Sequence, residues 1–363
     1  MKIIYSVGSR IPGGGIGNIA FNAIKEINKQ HYLKKLICTS YDKKILNMNN
    51  VATVPLIQKI PFYYIKDNIF DLMASRKIEE ADIFHGWSNY SLFSMRKAKK
   101  YNSKTIIERH SAFPLIQKKL IDREYMKYGF NKKTNRLIKK EIREFEEADR
   151  VLISSKFILD TFEAKGFNTE KIDVIPLGVD TKRFRPSNEK KEKFRILFVG
   201  QISIRKGIPY LLEAFDSLPQ DCELILMGHL IRDMKDILKK YKKEQIKIIN
   251  YTPNPSEFYK KASVCVLPSI EDGFGLVVLE AMASGIPVIV SEHTGAKDAV
   301  INGKNGFIVA TKNAKNLNVK LSYLYNNQNE IKRMGKNARK TAEKYTWENY
   351  NKKLIKMYEN MNK

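Results

Sequence analysis

The sequence contains no run of about 18 uncharged apolar residues, the length with which a helix crosses the hydrocarbon core of a bilayer. Its first apolar run, residues 3–7, is too short for a signal peptide and is followed directly by a glycine. We therefore expect a cytoplasmic protein without a membrane span, in which residues 3–7 form a buried strand.

Cysteine is also scarce. Cys38, Cys222 and Cys265 lie far apart, each in a short apolar run, and the spacing C-x-x-C does not occur. An odd number of widely separated cysteines argues against a disulfide framework and against a cysteine metal site. We expect all three to be buried, reduced thiols.

What the sequence does have is positive charge. The 363 residues are 43% hydrophobic and 29% charged, which is typical of a globular protein of about two domains. The formal charge is +26, and the stretch 118–143 has ten basic residues against three acidic ones. Such a field attracts phosphorylated substrates, nucleic acid or anionic lipid, and charge alone does not choose among them.

Short β-branched runs alternate with helix-period segments along most of the chain. Continuous apolar strands separated by helices are typical of parallel sheets covered on both faces, so the predicted fold class is α/β. Amphipathic helices are predicted at 18–28, 136–147 and 208–218, and a final helix begins at Trp347. The predicted strands are residues 3–7, 34–39, 82–85, 104–108, 151–154, 172–175, 195–199, 223–227, 246–249, 264–267 and 287–290.

A polar, charged run that includes Pro186 divides this pattern into two halves. The predicted organisation is a first doubly wound domain, a linker, a second doubly wound domain and a C-terminal helix, at residues 1–180, 181–193, 194–345 and 346–363. Two such domains that face each other form a cleft at the carboxyl ends of their strands, where ligands bind.

A basic pair follows the strand predicted at 195–199. Gly200 ends that strand, and Arg205 and Lys206 precede the next helix. Two adjacent cations at the entry of a helix are suited to binding a diphosphate. A solvated surface pair is the alternative that this short motif leaves open.

An acidic pair follows the strand predicted at 264–267. Asp272 lies in a loop whose glycines allow main-chain N–H groups to point into the cleft, and an apolar helix begins near Leu276. Glu280 lies about one turn inside that helix among apolar residues, where a carboxylate needs a partner. It is suited to binding vicinal hydroxyls such as those of a ribose, and a buried salt bridge or a loop cap is the alternative.

These residues resemble the retaining GT-B glycosyltransferases, specifically glycosyltransferase family four. The family's hallmark is an acidic residue, seven residues and then a glutamate, within a loop and helix that read Glu-Gly-Phe-Gly-Leu or similar. Asp272 takes the acidic position because residues 273–279 are the seven that precede Glu280, whereas Glu271 is one place too early. Further resemblance lies at residues 13–17, 175–180, 285–289, 294–298 and 305–309, and it covers nearly the whole chain.

The resemblance implies a GT-B fold: two Rossmann-like domains facing across a cleft, with a C-terminal helix that returns to the first domain. It implies that Glu280 binds the nucleotide ribose and that Lys206 neutralises the leaving diphosphate. The other implied donor contacts are Asp272, the main-chain amides of Phe274, Gly275 and Leu276, the first-domain loop at Gly14 and Gly15, and His110 beside the donor sugar.

Two positions depart from the family pattern. The family usually has an arginine directly after the glycine that corresponds to Gly200, where this chain has Gln201. We therefore expect Arg205 to supply the missing phosphate charge. After the strand predicted at 223–227, the chain has Gly228-His229 where relatives often have a second glycine, which leaves base recognition open.

The function implied is transfer of a hexosyl-type sugar, with retention, from a UDP- or GDP-sugar to a glycan or lipid-linked acceptor in cell-envelope or polysaccharide biosynthesis. The chain has no Asp-x-Asp motif, and fixed cations can replace a divalent metal at a leaving diphosphate. We therefore expect no metal and no cofactor.

Two alternatives remain at this stage. A nucleotide-sugar epimerase shares the same two-domain fold. A nucleic-acid-binding protein would also be basic, but the basic residues here do not interleave with a stacking-aromatic motif, so no nucleic-acid partner is expected. The stretch 118–143 could instead lie on an anionic membrane surface, which predicts peripheral attachment at the inner face of the membrane.

Overall fold

The computed structural model describes residues 1–55, 63–130, 137–187 and 192–363, and it consists of two parallel sheets with helices packed against them. The first sheet has seven strands in the order β3-β2-β1-β4-β5-β6-β7, and all of its described pairs are parallel. Its strands are β1 Ile3–Ile11, β2 Leu33–Tyr41, β3 Val51–Thr53, β4 Ile83–Trp87, β5 Lys104–Arg109, β6 Arg150–Ile153 and β7 Ile172–Val174.

The second sheet has six strands in the order β10-β9-β8-β11-β12-β13, also parallel throughout. Each sheet therefore winds outward in both directions from an internal pair, β1/β4 in the first and β8/β11 in the second, as in doubly wound folds. The strands are β8 Arg195–Val199, β9 Glu223–Met227, β10 Ile246–Ile249, β11 Val264–Leu267, β12 Val288–Ser291 and β13 Gly306–Val309.

Helices connect the strands and cover both sheets. The central strands β4, β9 and β11 are buried along their whole length, and their sequences are mostly apolar rather than alternating, as in sheets that are covered on both faces. The first-domain helices are α1 Gly14–Lys29, α2 Tyr63–Ser75, α3 Leu92–Lys99, α4 Pro114–Lys127, α5 Ile138–Glu147 and α6 Lys156–Glu163. They are followed by α7 Ile208–Asp216, α8 Lys235–Lys239, α9 Ser256–Lys261, α10 Leu276–Ala283, α11 Ala314–Asn326, α12 Gln328–Ala342 and α13 Trp347–Met361.

The α/β class and all eleven predicted strands are confirmed. Two strands were not predicted, because β3 is a half-buried edge strand of three residues and β13 has only three apolar residues after its glycine. Of the helix predicted at 136–147, residue 136 lies outside the described residues and the remainder contains α5. The ends of the domains at 180 and 345, and the linker between them, stay predictions.

The last helix, α13, packs against α1 of the first domain, as the GT-B resemblance implied. Its buried residues Tyr350, Leu354 and Tyr358 face that domain, and the Tyr358 hydroxyl lies 2.6 Å from Nδ1 of His85 on β4. Among the described residues, none of the helices combines the length and the hydropathy needed to cross a membrane.

Candidate active site

The candidate site lies at the carboxyl ends of β8 and β11, the two strands from which the second sheet winds in opposite directions. Ligands of doubly wound folds bind at this switch point. The loop after β8 contains Arg205 and Lys206 in the short 3-10 turn Ile204–Lys206, and the loop after β11 contains Asp272. The basic and acidic pairs predicted from sequence therefore come from neighbouring loops.

Lys206 and Asp272 form a direct ion pair. The Lys206 ammonium contacts Oδ2 of Asp272, and the two side chains are only 13% and 14% exposed. Burial by itself would raise the pKa of Asp272, but Lys206, Arg205 and the amide of Phe274 bring that pKa below its ordinary value. Burial lowers the pKa of Lys206, and the charge of Asp272 opposes this. The loop thus holds a carboxylate that is ionised at neutral pH beside a desolvated cation.

The loop around Asp272 is held by main-chain hydrogen bonds. The Asp272 amide donates to the His293 carbonyl at 3.0 Å, and the Gly295 amide donates to the Asp272 carbonyl at 2.9 Å. Gly275 precedes α10 with φ of 87°, a left-handed conformation that favours glycine. The first-turn N–H groups of α10, which follow it, have no acceptor within their own helix, as in any α-helix. They are suited to binding an anion.

Glu280 lies on α10 with one oxygen already engaged. The Tyr259 hydroxyl donates to Glu280 Oε2 at 2.8 Å, so Oε1 is the oxygen available to a ligand hydroxyl. Burial raises the pKa of Glu280, while the Tyr259 hydrogen bond and the charge of Arg183 oppose the rise. Tyr251, which is 60% exposed, is close enough to Glu280 for the carboxylate to contribute to the raised pKa of its phenol.

Arg205 points toward Glu271 rather than forming an isolated surface pair with Lys206. Its Nη1 donates to the Glu271 carbonyl at 2.9 Å and lies 3.5 Å from Oε2 of the Glu271 carboxylate. Arg205 is still close enough to Asp272 to lower the pKa of that carboxyl. Gln201, where the family usually has arginine, is exposed.

Glu271 connects the two domains. Its carboxylate is completely buried and accepts hydrogen bonds from the Ala112 amide at 2.9 Å and from Nε2 of Gln117 at 3.1 Å, both in the first domain. Sequence spacing assigned no role to Glu271. The structure shows that it makes one of the contacts between the domains, while its neighbour Asp272 pairs with Lys206. The only signal for it in the sequence was a second acidic residue before the glycines.

His110 approaches the same loop from the first domain. A Cβ atom built on Gly273 would lie 2.1 Å from the His110 carbonyl oxygen, so only glycine permits this contact. The His110 ring packs edge-on against Trp87, with 5.2 Å between ring centroids. Its Nε2 lies 2.6 Å from Oε1 of Glu108, whereas its Nδ1 is buried without a hydrogen-bond partner among the described residues.

The first-domain glycine loop is open. Gly14 and Gly15 are exposed in the first turn of α1, and a Cβ on either would meet no atom within 4 Å. The structure thus brings Lys206, Asp272 and the His110 loop together, and it places Glu280 farther along α10. Sequence reasoning missed three residues that contact the predicted ones. Glu108 contacts His110, Tyr259 donates a hydrogen bond to Glu280, and Glu271 accepts one from Arg205.

Comparison with known proteins identifies the family and the fold of the chain. The family model described as Glycosyltransferase Family 4 matches residues 13–183, and the model described as Glycosyl transferases group 1 matches residues 179–341. The capsular polysaccharide biosynthesis glycosyltransferase CapM of Staphylococcus aureus is 32% identical over 182 residues, which are 46% of this chain and 48% of CapM. An uncharacterized glycosyltransferase of Haemophilus influenzae is 24% identical over 94% of both chains.

The matches to the first curated relatives span about half to 60% of the lengths of those proteins. Among solved structures, a sucrose-phosphate synthase from Thermosynechococcus elongatus superposes with a TM-score of 0.82 at 19% identity over 99% of both chains. Anabaena HepE in complex with UDP-glucose superposes with a TM-score of 0.77 at 16% identity over 99% of this chain and 100% of HepE. The chain belongs to the group 1 glycosyl transferases and has their GT-B fold.

Proposed function

We propose that this protein transfers a hexosyl-type sugar from a nucleotide sugar, UDP- or GDP-linked, to a glycan or lipid-linked acceptor in polysaccharide or cell-envelope biosynthesis. The observation that carries the proposal is the desolvated Lys206–Asp272 pair at the switch point of the second sheet, on the same loop-helix segment as Glu280. HepE, a structural neighbour, has been crystallised with UDP-glucose, and CapM acts in capsular polysaccharide biosynthesis.

Cleavage of a glycosyl–phosphate bond leaves positive charge on the sugar and negative charge on the departing diphosphate. Lys206 and the N-terminus of α10 are placed to stabilise that anion, which is the largest kind of catalytic contribution at such sites. Arg205 lies close enough to Asp272 for its positive charge to lower the pKa of that carboxyl, and it therefore adds positive charge to the site. We therefore propose that Arg205 substitutes for the arginine missing at Gln201.

The remaining donor contacts follow from the same placement. Oε1 of Glu280 accepts from a ribose hydroxyl, Asp272 and the amides of Phe274, Gly275 and Leu276 hold the sugar and phosphate, and the open loop at Gly14 and Gly15 admits the phosphates. The proposed reaction retains the anomeric configuration, because the acceptor attacks the sugar from the same face from which the leaving group departs. It needs no metal, since the sequence has no Asp-x-Asp and the site supplies fixed cations.

The test is a screen of UDP-, GDP- and ADP-sugars with purified protein and glycan or lipid-linked acceptors, followed by mass spectrometry and NMR of the products. We expect one nucleotide class to give an α-linked product, at a rate that EDTA does not change. Conversion of a donor without acceptor would identify an epimerase instead. Absence of any sugar transfer or donor conversion over the whole screen contradicts the proposal.

We also propose that the acceptor is met at an anionic membrane surface. The exposed face of α4 presents Leu115 and Met126, at 43% and 69% exposure, in line with the exposed cations Lys119 and Arg123. Apolar and cationic side chains at this helical spacing suit the boundary between anionic head groups and acyl chains. Residues 131–136 of the basic stretch 118–143 lie outside the described residues.

Sedimentation with phosphatidylcholine vesicles, with and without phosphatidylglycerol, tests this surface. We expect binding only to the anionic vesicles and its loss in Lys119→Glu/Arg123→Glu. The matched control is Lys336→Glu/Lys340→Glu on α12, which makes the same charge change on an exposed face of the other domain. Equal binding to both vesicle types, or an equal loss of vesicle binding in both double variants, contradicts the proposal.

A further inference from the structure

A buried polar cluster next to His110 has no role in the reaction proposed above. Its centre is Glu108 on β5, whose side chain is completely buried. Tyr5 on β1 and His85 on β4 reach it from neighbouring strands, and Tyr350 reaches it from α13. The cluster therefore lies at the switch point of the first sheet, opposite the candidate donor site of the second.

Four groups surround the two carboxylate oxygens of Glu108. The Tyr5 hydroxyl and His85 Nε2 lie 2.9 and 3.0 Å from Oε2, and His110 Nε2 and the Tyr350 hydroxyl lie 2.6 and 3.3 Å from Oε1. Burial alone would raise the pKa of Glu108, but the hydrogen bonds from His110 and His85 lower it to about 2. The carboxylate is therefore ionised at neutral pH and can only accept hydrogen bonds.

An ionised acceptor fixes the protons on both histidines, because each must place an N–H on the nitrogen that faces Glu108. For His85 the other nitrogen, Nδ1, lies 2.6 Å from the Tyr358 hydroxyl, so a neutral ring has both nitrogens satisfied. For His110 the other nitrogen has no partner among the described residues, although its side chain is only 8% exposed. A buried polar atom left without a partner requires an explanation.

We propose that Glu108 is a positioning residue that holds the proton of His110 on Nε2, so that Nδ1 accepts a hydrogen bond from a hydroxyl of the donor sugar. The His110 carbonyl contacts Gly273 across the cleft, which places this ring at the boundary with the donor-binding loop. The identity of the ligand rests on the proposed function, whereas the position of the proton does not.

The proton is located by ¹⁵N NMR of the histidine rings at neutral pH, with His110→Phe used to assign the signals. We expect the proton of His110 to lie on Nε2 in the wild type, and the ring to become a mixture of tautomers in Glu108→Gln. A wild-type ring protonated on Nδ1 overturns the proposal. This result is obtained without a substrate, so it stands even if no donor is ever turned over.

The sugar contact is tested by titration calorimetry with UDP-, GDP- and ADP-glucose and with the matching nucleoside diphosphates. We expect Glu108→Gln to weaken binding of the preferred sugar nucleotide about three- to tenfold, because only the rings protonated on Nε2 bind the sugar hydroxyl, and to leave the diphosphate unchanged. In a His110→Phe background the same substitution should have no effect, because the two residues are coupled. Tyr350→Phe, which removes another contact to the same oxygen, is the control and should have little effect.

A purely structural role for Glu108 predicts an equal loss in both backgrounds, or equal losses for sugar nucleotide and diphosphate, and either outcome contradicts the proposal. If no nucleotide sugar binds to the wild type, the proposed function fails. The ligand part of this proposal fails with it, while the NMR measurement still decides whether Glu108 sets the tautomer.

Discussion

Gly273 of the second domain lies against His110 of the first so closely that a Cβ on Gly273 would be 2.1 Å from the His110 carbonyl oxygen. The two loops that carry the candidate chemistry are thus in main-chain contact. The two domains are therefore in contact across the cleft at this point. Closure of this kind excludes water and protects a reactive donor from hydrolysis.

The Gly273 contact gives the first prediction. Gly273→Ala should hold the domains apart and lower kcat/KM about 100-fold, the effect expected when reacting groups are displaced by about 1 Å. The affinity for the nucleoside diphosphate should change little, since its contacts lie in the second domain. Steady-state kinetics and calorimetry measure the two quantities.

The control for that variant is Gly166→Ala, because an added Cβ there meets no atom within 4 Å, while the φ of Gly166, 69°, is strained for alanine. It should lose stability without losing activity. A Gly273→Ala enzyme with wild-type kcat/KM would show that the contact is not part of the active state.

Glu271 gives the second prediction. Glu271→Ala removes the acceptor of the Ala112 amide and of Gln117, so the free protein should be more open. Small-angle X-ray scattering should show a larger radius of gyration than in the wild type, and KM should rise. Glu257→Ala, which removes an exposed glutamate paired with Lys260, is the matched control. An unchanged radius of gyration in Glu271→Ala contradicts a role in closure.

The third prediction concerns the leaving group. Lys206→Ala should lower kcat about 10²- to 10³-fold, the loss seen when one preorganised donor to a developing anion is removed. It also leaves Asp272 buried without its cation, which should destabilise the protein by about 3 kcal/mol. Adding Asp272→Asn should restore the stability and not the activity. A normal kcat in Lys206→Ala argues against its role at the leaving group. A double variant as unstable as the single one argues against the loss of the ion pair with Asp272 as the cause of the instability.

The fourth prediction is a pH dependence of donor binding. Burial raises the pKa of Glu280, and the ionised form is the better acceptor for ribose hydroxyls. Affinity for the sugar nucleotide, whose diphosphate is esterified at both ends and does not titrate in this range, should therefore rise with pH through that elevated pKa and level off above it. Among the described residues, the titratable groups that interact with this carboxylate are Tyr259, Tyr251, Cys265 and Arg183.

Glu280→Gln should abolish this pH dependence, while Tyr259→Phe, which removes the hydrogen bond that opposes the rise, should move it to higher pH. Calorimetry from about pH 5 to 8 measures both, since the range lies above the ordinary glutamate pKa. A pH profile that is identical in the wild type and in Glu280→Gln would falsify the assignment of Glu280.

Much of the fold followed from the sequence because most buried strands are apolar runs and most connections between them contain a helix. The edge strand β3 escaped prediction because three half-buried residues carry no distinctive pattern. Spacing alone separated Asp272 from Glu271, and the ion pair with Lys206 is consistent with that choice.

Spacing could not show what the neighbouring residues do. Glu271 contacts Ala112 and Gln117 only because the two domains close on each other, and no local pattern encodes a contact over more than 150 residues. Glu108 looks like any carboxylate at the end of a strand until β1, β4 and α13 bring Tyr5, His85 and Tyr350 to it. The direction of Arg205 likewise depends on a neighbouring loop.

The most direct test of the central claim, that this switch point binds a nucleotide sugar, is calorimetry of UDP-, GDP- and ADP-glucose with the wild type and Glu280→Ala. We expect one nucleotide class to bind the wild type and Glu280→Ala to weaken its binding about 10- to 100-fold, the effect of losing hydrogen bonds to a charged group. Wild-type affinity in Glu280→Ala, or no binding of any of the three to the wild type, would contradict it.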